Sequence, residues 1–271
     1  MENYEVEELA RQRNKDALFQ MAWRPPDDVK NSHVDHLAWQ NYWFEKAADA
    51  GHVDAKYRYA KSLLAFPLSI VYRNKAMRLF QSLVNDFDAG KLFSDEDKEA
   101  GSMAKLWLGI MLCEGYLTVR DAERGVELIN AAKDELEDFK DFGLMTLYNI
   151  GELYSTGLVD PSELEEPTLD DLVQALAYYD KAIKAYDPER NKREIFELVT
   201  KMYDNTEKWI KRVKEQEGGV LIFEDTKANR LRYTKERRGK RLELSDKDHK
   251  KLDDYSKAIK QLRERLASEG W

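Results

Sequence analysis

Apolar and polar positions alternate along this chain with the period of an α-helix, and the same arrangement returns at long intervals. Ala104 is followed after three residues by Leu108-Gly109, after two more by Leu112, and after two more by Gly115. Thr146 opens the same frame 42 residues later, with Ile150-Gly151, Tyr154 and Gly157 in the matching places. Ala55, Tyr59-Ala60 and Leu63 carry it 49 residues earlier, and Asp16-Ala17 with Met21-Ala22 form a weaker fourth copy. Each copy is followed by a second segment in which large apolar residues precede small or apolar ones by three or four places. These segments are Trp43-Phe44 before Ala47-Ala48, Leu79-Phe80 before Leu83-Val84, Leu128-Ile129 before Ala131-Ala132, and Tyr178-Tyr179 before Ala182-Ile183. Three-and-four spacing places such residues on one helix face. The chain therefore predicts repeated helical hairpins, each of which buries its apolar face only by packing on a neighbour.

Small residues at fixed points of the frame sharpen this reading. A glycine inside a helix costs about 1 kcal/mol relative to alanine, so Gly109 and Gly151 predict a close approach of a second helix that offsets the loss. Gly51, Gly115 and Gly157 stand where helices should close through a left-handed residue.

The stretch Lys46-Ala47-Ala48-Asp49-Ala50-Gly51-His52-Val53-Asp54-Ala55 resembles the repeat junction of the Sel1-like family, a relative of the tetratricopeptide repeat. Ala104 to Gly115 followed by Asp121 to Ala132 is similar to one whole unit, and the resemblance spans about residues 16–186. It implies an all-α protein, an α-α superhelix of stacked antiparallel hairpins. The expected organisation is a repeat array of about four hairpins over 1–190, a capping helix over 191–217 and a basic C-terminal extension over 218–271. The chain departs from the family at Pro67–Arg73, Lys91–Glu99 and Pro161–Asp170, where residues are inserted.

Charge divides the chain. Of 44 Lys/Arg and 52 Asp/Glu, residues 218–271 hold 15 and 10, so the body before them carries a net −13 and the tail +5. An acidic body argues against nucleic-acid binding there. Eight cations, Lys227, Arg230, Arg232, Lys235, Arg237, Arg238, Lys240 and Arg241, crowd one stretch with Glu236 as the single acid. They suit a contact with phosphate or an acidic protein, or more simply a solvated strap on the chain's own acidic body. Beyond Gly218-Gly219 the sequence predicts a small hairpin from Val220–Phe223 and Arg241–Leu244. A final helix should follow, beginning near Ser245 and striped by Tyr255, Ile259, Leu262 and Leu266.

Chemistry-bearing sets are sparse. Cys113 is the single cysteine, so neither an intrachain disulfide nor a cysteine-based zinc site can form, and its apolar helix makes it a small core residue. His33 and His36 flank Asp35 in what reads as a polar loop, without a third metal ligand; His52 belongs to the junction and His249 to a charged helix face. Asp27-Asp28, Asp170-Asp171 and Asp253-Asp254 read as solvation or helix-start residues. The expectation is a non-enzymatic protein without metal or cofactor. No apolar run nears the roughly 20 residues of a membrane span and the start lacks a secretory signal, so a cytoplasmic setting is expected; the Sel1-like resemblance implies a bacterial one.

A concave side lined by the first helices would carry the function that the resemblance implies, capture of a peptide or helix from another protein by a scaffold or adaptor. The frame leaves Phe19, Tyr57, Lys61, Leu106, Ile110, Tyr148 and Glu152 for that side. The same positions also suit contacts between neighbouring helices. The alternative function is a regulator contacting nucleic acid or an acidic partner through 227–241.

Overall fold

The computed structural model describes residues 3–30, 32–64, 69–115, 120–136, 144–157, 159, 167–189, 191, 193–215 and 246–271. These residues are all-helical and contain no strand. The helices are α1 (Asn3–Arg11), α2 (Lys15–Met21), α3 (Asp27–Lys30), α4 (His33–Asp49), α5 (Val53–Leu63), α6 (Ile70–Asp88), α7 (Asp95–Glu114), α8 (Ala122–Glu135), α9 (Leu144–Ser155), α10 (Leu169–Lys184), α11 (Arg193–Glu215) and α12 (Asp246–Ser268).

Two compact units result, one of Met1–Lys105 with Arg241–Trp271, the other of Leu106–Lys240. This division differs from the one expected. Instead of a repeat array followed by a separate extension, the last helix belongs to the first unit, and the boundary falls within α7. In the first unit α2 packs on α1 and α4, α4 on α5, α5 on α6, and α12 on α4. In the second unit α10 lies between α9 and α11.

Local chemistry sets the helix ends. Asn14, Ser32, His52, Ser69, Asp121 and Thr168 each accept a backbone N–H through the side chain at an N-terminus, satisfying donors the helix leaves open. Thr168 and Asp171 complete a capping box. At the predicted junction, the Gly51 N–H donates to Ala48 O at 3.0 Å and the His52 N–H to Ala47 O at 2.9 Å. This paired closure needs a left-handed residue, and Gly51 has φ +89°.

The glycine expectation can be read at atomic scale in the second unit. A Cβ added at Gly109 would stand 2.6 Å from the Gly125 carbonyl oxygen and 2.8 Å from Ile129 Cγ1. One added at Gly151 would stand 2.7 Å from Tyr179 Cε1 and 3.3 Å from the Ala175 carbonyl oxygen. Both first helices thus meet their partner at a small residue and at a bulky one four places on. The corresponding residues of the first unit, Ala60 on α5 with Ala76 and Phe80 on α6, are wholly buried.

Candidate functional site

The seven residues expected on one concave face have different surroundings. Phe19 is half-buried on α2 and Lys61 is exposed on α5. Tyr57, Leu106, Ile110, Tyr148 and Glu152 are buried, Leu106 at 0% exposure. They present no open face, and the reason lies in the helices themselves. On α7 every residue from Ala104 to Cys113 is buried, and a helix apolar around its circumference is covered on more than one side. Positions left free by the hairpin contact serve a second buried face. Phe19, Tyr57 and Lys61 belong to the first unit, and Leu106, Ile110, Tyr148 and Glu152 to the second. The basic segment, Lys227, Arg230, Arg232, Lys235, Arg237, Arg238, Lys240 and Arg241, lies outside the described residues, as does the hairpin expected from Val220–Phe223 and Arg241–Leu244.

What survives on the surface is a cluster of aromatic groups around Phe19. Its ring stacks on His52 at 4.2 Å, lies 5.8 Å from Phe44 and meets Trp23 edge-on at 6.3 Å. Trp23 is 50% exposed. The Arg58 guanidinium, from the neighbouring hairpin's first helix, lies 5.4 Å from the Trp23 ring and 5.8 Å from that of Phe19, while pairing with Asp54 at 2.7 Å. Lys61 follows on α5, its Nζ 5.9 Å from the centre of the Tyr57 ring. His52 accepts from the Ala55 N–H at its Nδ1 and lies 3.7 Å from Asp16. Partial burial lowers its pKa against the opposing pull of Asp16 and Asp54. Neither Trp23 nor Arg58 belongs to the repeat frame, so pattern matching passes over them. The exposed Trp beside an Arg was the available signal.

A polar seam joins α12 to the first unit. Tyr255 OH accepts from Asn41 Nδ2 at 2.8 Å, and Asn41 Oδ1 accepts from Ser62 Oγ. Glu45 accepts from Lys75, from Tyr59 at 3.1 Å and from Arg263 at 2.7 Å. Desolvation would raise the Glu45 pKa, but the Lys75 and Arg263 cations and the Tyr59 hydroxyl outweigh it and lower the value. Arg265 reaches Asp28 at 2.6 Å. The predicted stripe is turned inward, with Tyr255, Leu262 and Leu266 buried and Ile259 half-buried. Trp271 then meets Trp43 edge-on at 4.9 Å and lies under the Arg11 guanidinium at 4.2 Å.

Beside that chain end is a cavity of about 560 Å³. Leu18, Tyr42, Trp43 and Trp271 form its apolar lining, and Arg11, Arg13, Lys46 and Asp49 carry its charges. Arg13 has φ +60°, the single non-glycine with positive φ among the described residues. It closes α1 as glycine usually does, its N–H donating to Ala10 O at 2.9 Å and that of Asn14 to Leu9 O at 3.0 Å.

The remaining candidates have structural places. His33 and His36 lie in the first turn of α4 rather than in the expected loop, with Ser32 as cap. Cys113 is buried, its Sγ 3.8 Å from Ala122 O, and burial pushes the thiol up to about 12. Asp27-Asp28 and Asp170-Asp171 occupy first helical turns, and Asp253-Asp254 lie within α12. Among the described residues no group of three or more His, Cys, Asp or Glu converges as a metal ion requires, and no helix is long and apolar enough to cross a membrane. No protein-family model matches this chain, and no curated protein is significantly similar to it.

Proposed function

We propose that this chain is a protein-interaction scaffold of the Sel1-like, tetratricopeptide-related kind, its hairpins following a superhelical path, and that it captures a peptide or helix of another protein without doing chemistry on it. The hairpin contacts at Gly109 and Gly151 support the architectural half of this reading. The functional half rests on one observation, the half-exposed Trp23 beside Phe19, with the Arg58 guanidinium across both rings. Tryptophan and arginine dominate binding energy at protein interfaces because they bury large surfaces while offering directed polar contacts. Phe19 and Arg58 come from the first helices of successive hairpins and Trp23 from the turn that follows α2; in this reading Trp23 and Arg58 take the place of most of the side chains first assigned to the binding face.

The test uses the full chain with a photo-crosslinking phenylalanine analogue at Trp23, set against the same analogue at Lys30, in native extract. A defined partner should crosslink from position 23 and not from position 30. Trp23→Ala with Arg58→Ala should lower its retention at least about tenfold, the scale of a lost interface anchor, while the helical circular dichroism is kept. Undiminished retention by the double variant would overturn the assignment.

A further inference from the structure

The cavity beside Trp271 has a composition that the packing of the first unit does not require. Its lining pairs an aromatic floor, including Tyr42 and Trp43, with a charged rim of Arg11, Arg13, Lys46 and Asp49. Among side chains the rim carries three cations to one acid, in a body whose overall charge is strongly negative. Arg11 is partly engaged, donating to the Glu269 and Gly270 carbonyls at 3.3 and 3.4 Å and lying on the Trp271 ring. Arg13 has no ion pair among the described residues, and Lys46 lies only over the Tyr42 ring at 5.5 Å. Arg13 also holds a left-handed backbone position in which a non-glycine residue is strained. A glycine would close α1 better, so the helix end does not account for the guanidinium.

From these features we infer that the cavity binds an organic monocarboxylate, its apolar or aromatic body over Tyr42 and Trp43 and its carboxylate between Arg13 and Lys46. A guanidinium matches a carboxylate with two parallel N–H donors. The volume lies within the range of small-molecule sites. Asp49 on the rim disfavours polyanions, for which a wholly cationic rim would serve better. Two sources share this chemistry, a free small acid and the C-terminal carboxylate of a peptide ending in a large apolar residue.

Titration calorimetry on the full chain separates them. The probes are 2-naphthoate, its neutral amide, and a tripeptide ending in phenylalanine as free acid and as amide. At least one acid should bind saturably and its amide at least about tenfold more weakly, as expected when a charge-assisted pair is lost. Tighter binding of 2-naphthoate indicates a free acid, and tighter binding of the peptide acid indicates a chain terminus. Arg13→Gly should weaken binding about tenfold while the melting temperature holds or rises by roughly 2–4 °C, because the strain at φ +60° is relieved. Lys46→Gln should weaken binding without changing the fold, and Arg13→Lys should recover part of the affinity. Absence of saturation by either acid up to about 5 mM, beyond the millimolar end of the affinity scale, overturns the proposal. So does equal binding of acid and amide, or unchanged affinity in Arg13→Gly.

Discussion

Replacing Gly109 by alanine tests the close helix crossing on which the second unit is built. In isolation the substitution favours the helix by about 1 kcal/mol. Here the new methyl would lie 2.6 Å from the Gly125 carbonyl oxygen and 2.8 Å from Ile129 Cγ1, against carbon contacts that settle at roughly 3.5–4.0 Å. The Ile129 side chain can turn, whereas the Gly125 oxygen belongs to the α8 backbone and moves only if the helix does. Overpacking of this kind costs about 1–3 kcal/mol, and a backbone obstacle favours the upper end. After the propensity gain, a net loss of about 1–2 kcal/mol remains, lowering the melting temperature by roughly 2–8 °C. Circular dichroism in a urea or thermal series measures the loss, and hydrogen exchange along α8 locates it. Gly101→Ala is the control, because the atoms its methyl would meet are side-chain atoms of Phe87 and Leu92, and it should lose less. If Gly109→Ala is as stable as the parent or more so, the packing account of the repeated frame position fails.

Three further outcomes follow from the first unit and from Cys113. Since the folded pKa of His52 lies below its ordinary value of 6.5, the native state binds fewer protons near that pH than the unfolded chain does, and stability must fall as pH drops through this region. His52→Asn, which keeps an N-cap acceptor, should flatten the difference between melting temperatures at pH 8 and pH 5. Glu45 is likewise lowered, from 4.5; its contribution is full above that value and disappears as acid carries the pH through the lower folded pKa. Glu45→Gln should therefore lose stability at neutral pH, by about 1.5–3 kcal/mol for hydrogen bonds to a charged group, and show a shallower acid limb in urea titrations. Cys113, buried with its thiol held near 12, should resist iodoacetamide at pH 8 in the native protein and react fully in denaturant; rapid native labelling would refute its core placement.

The helical elements were legible in the sequence because their signals are local. Spacing marked the apolar faces, and Gly51, Gly115 and Gly157 marked helix ends, all three with positive φ. Gly109 and Gly151 announced close approaches because a glycine inside a helix needs a compensating contact. The binding face was less legible. A frame built from one buried seam treats every other position as surface, yet α7 is enclosed through ten successive residues, so Leu106 and Ile110 are core. Gly125 and Gly101, which also take close contacts, went unread because neither falls at a repeated position. The docking of α12 was invisible for a different reason. The Asn41–Tyr255 hydrogen bond joins residues 214 apart, and pairing at that separation leaves no periodic trace.

That distant pairing has a consequence during synthesis. The first unit is drawn from two stretches of chain separated by 135 residues, 106–240. At elongation rates of about 5–20 residues per second, the ribosome needs roughly 7–27 s to pass from one to the other. For that interval the side of α4 that will receive Tyr255, Leu262 and Leu266 is bare on the nascent polypeptide. The acidic body through which it emerges supplies like-charge repulsion between neighbouring nascent chains, and chaperones have their clearest opportunity to hold that side in the same seconds.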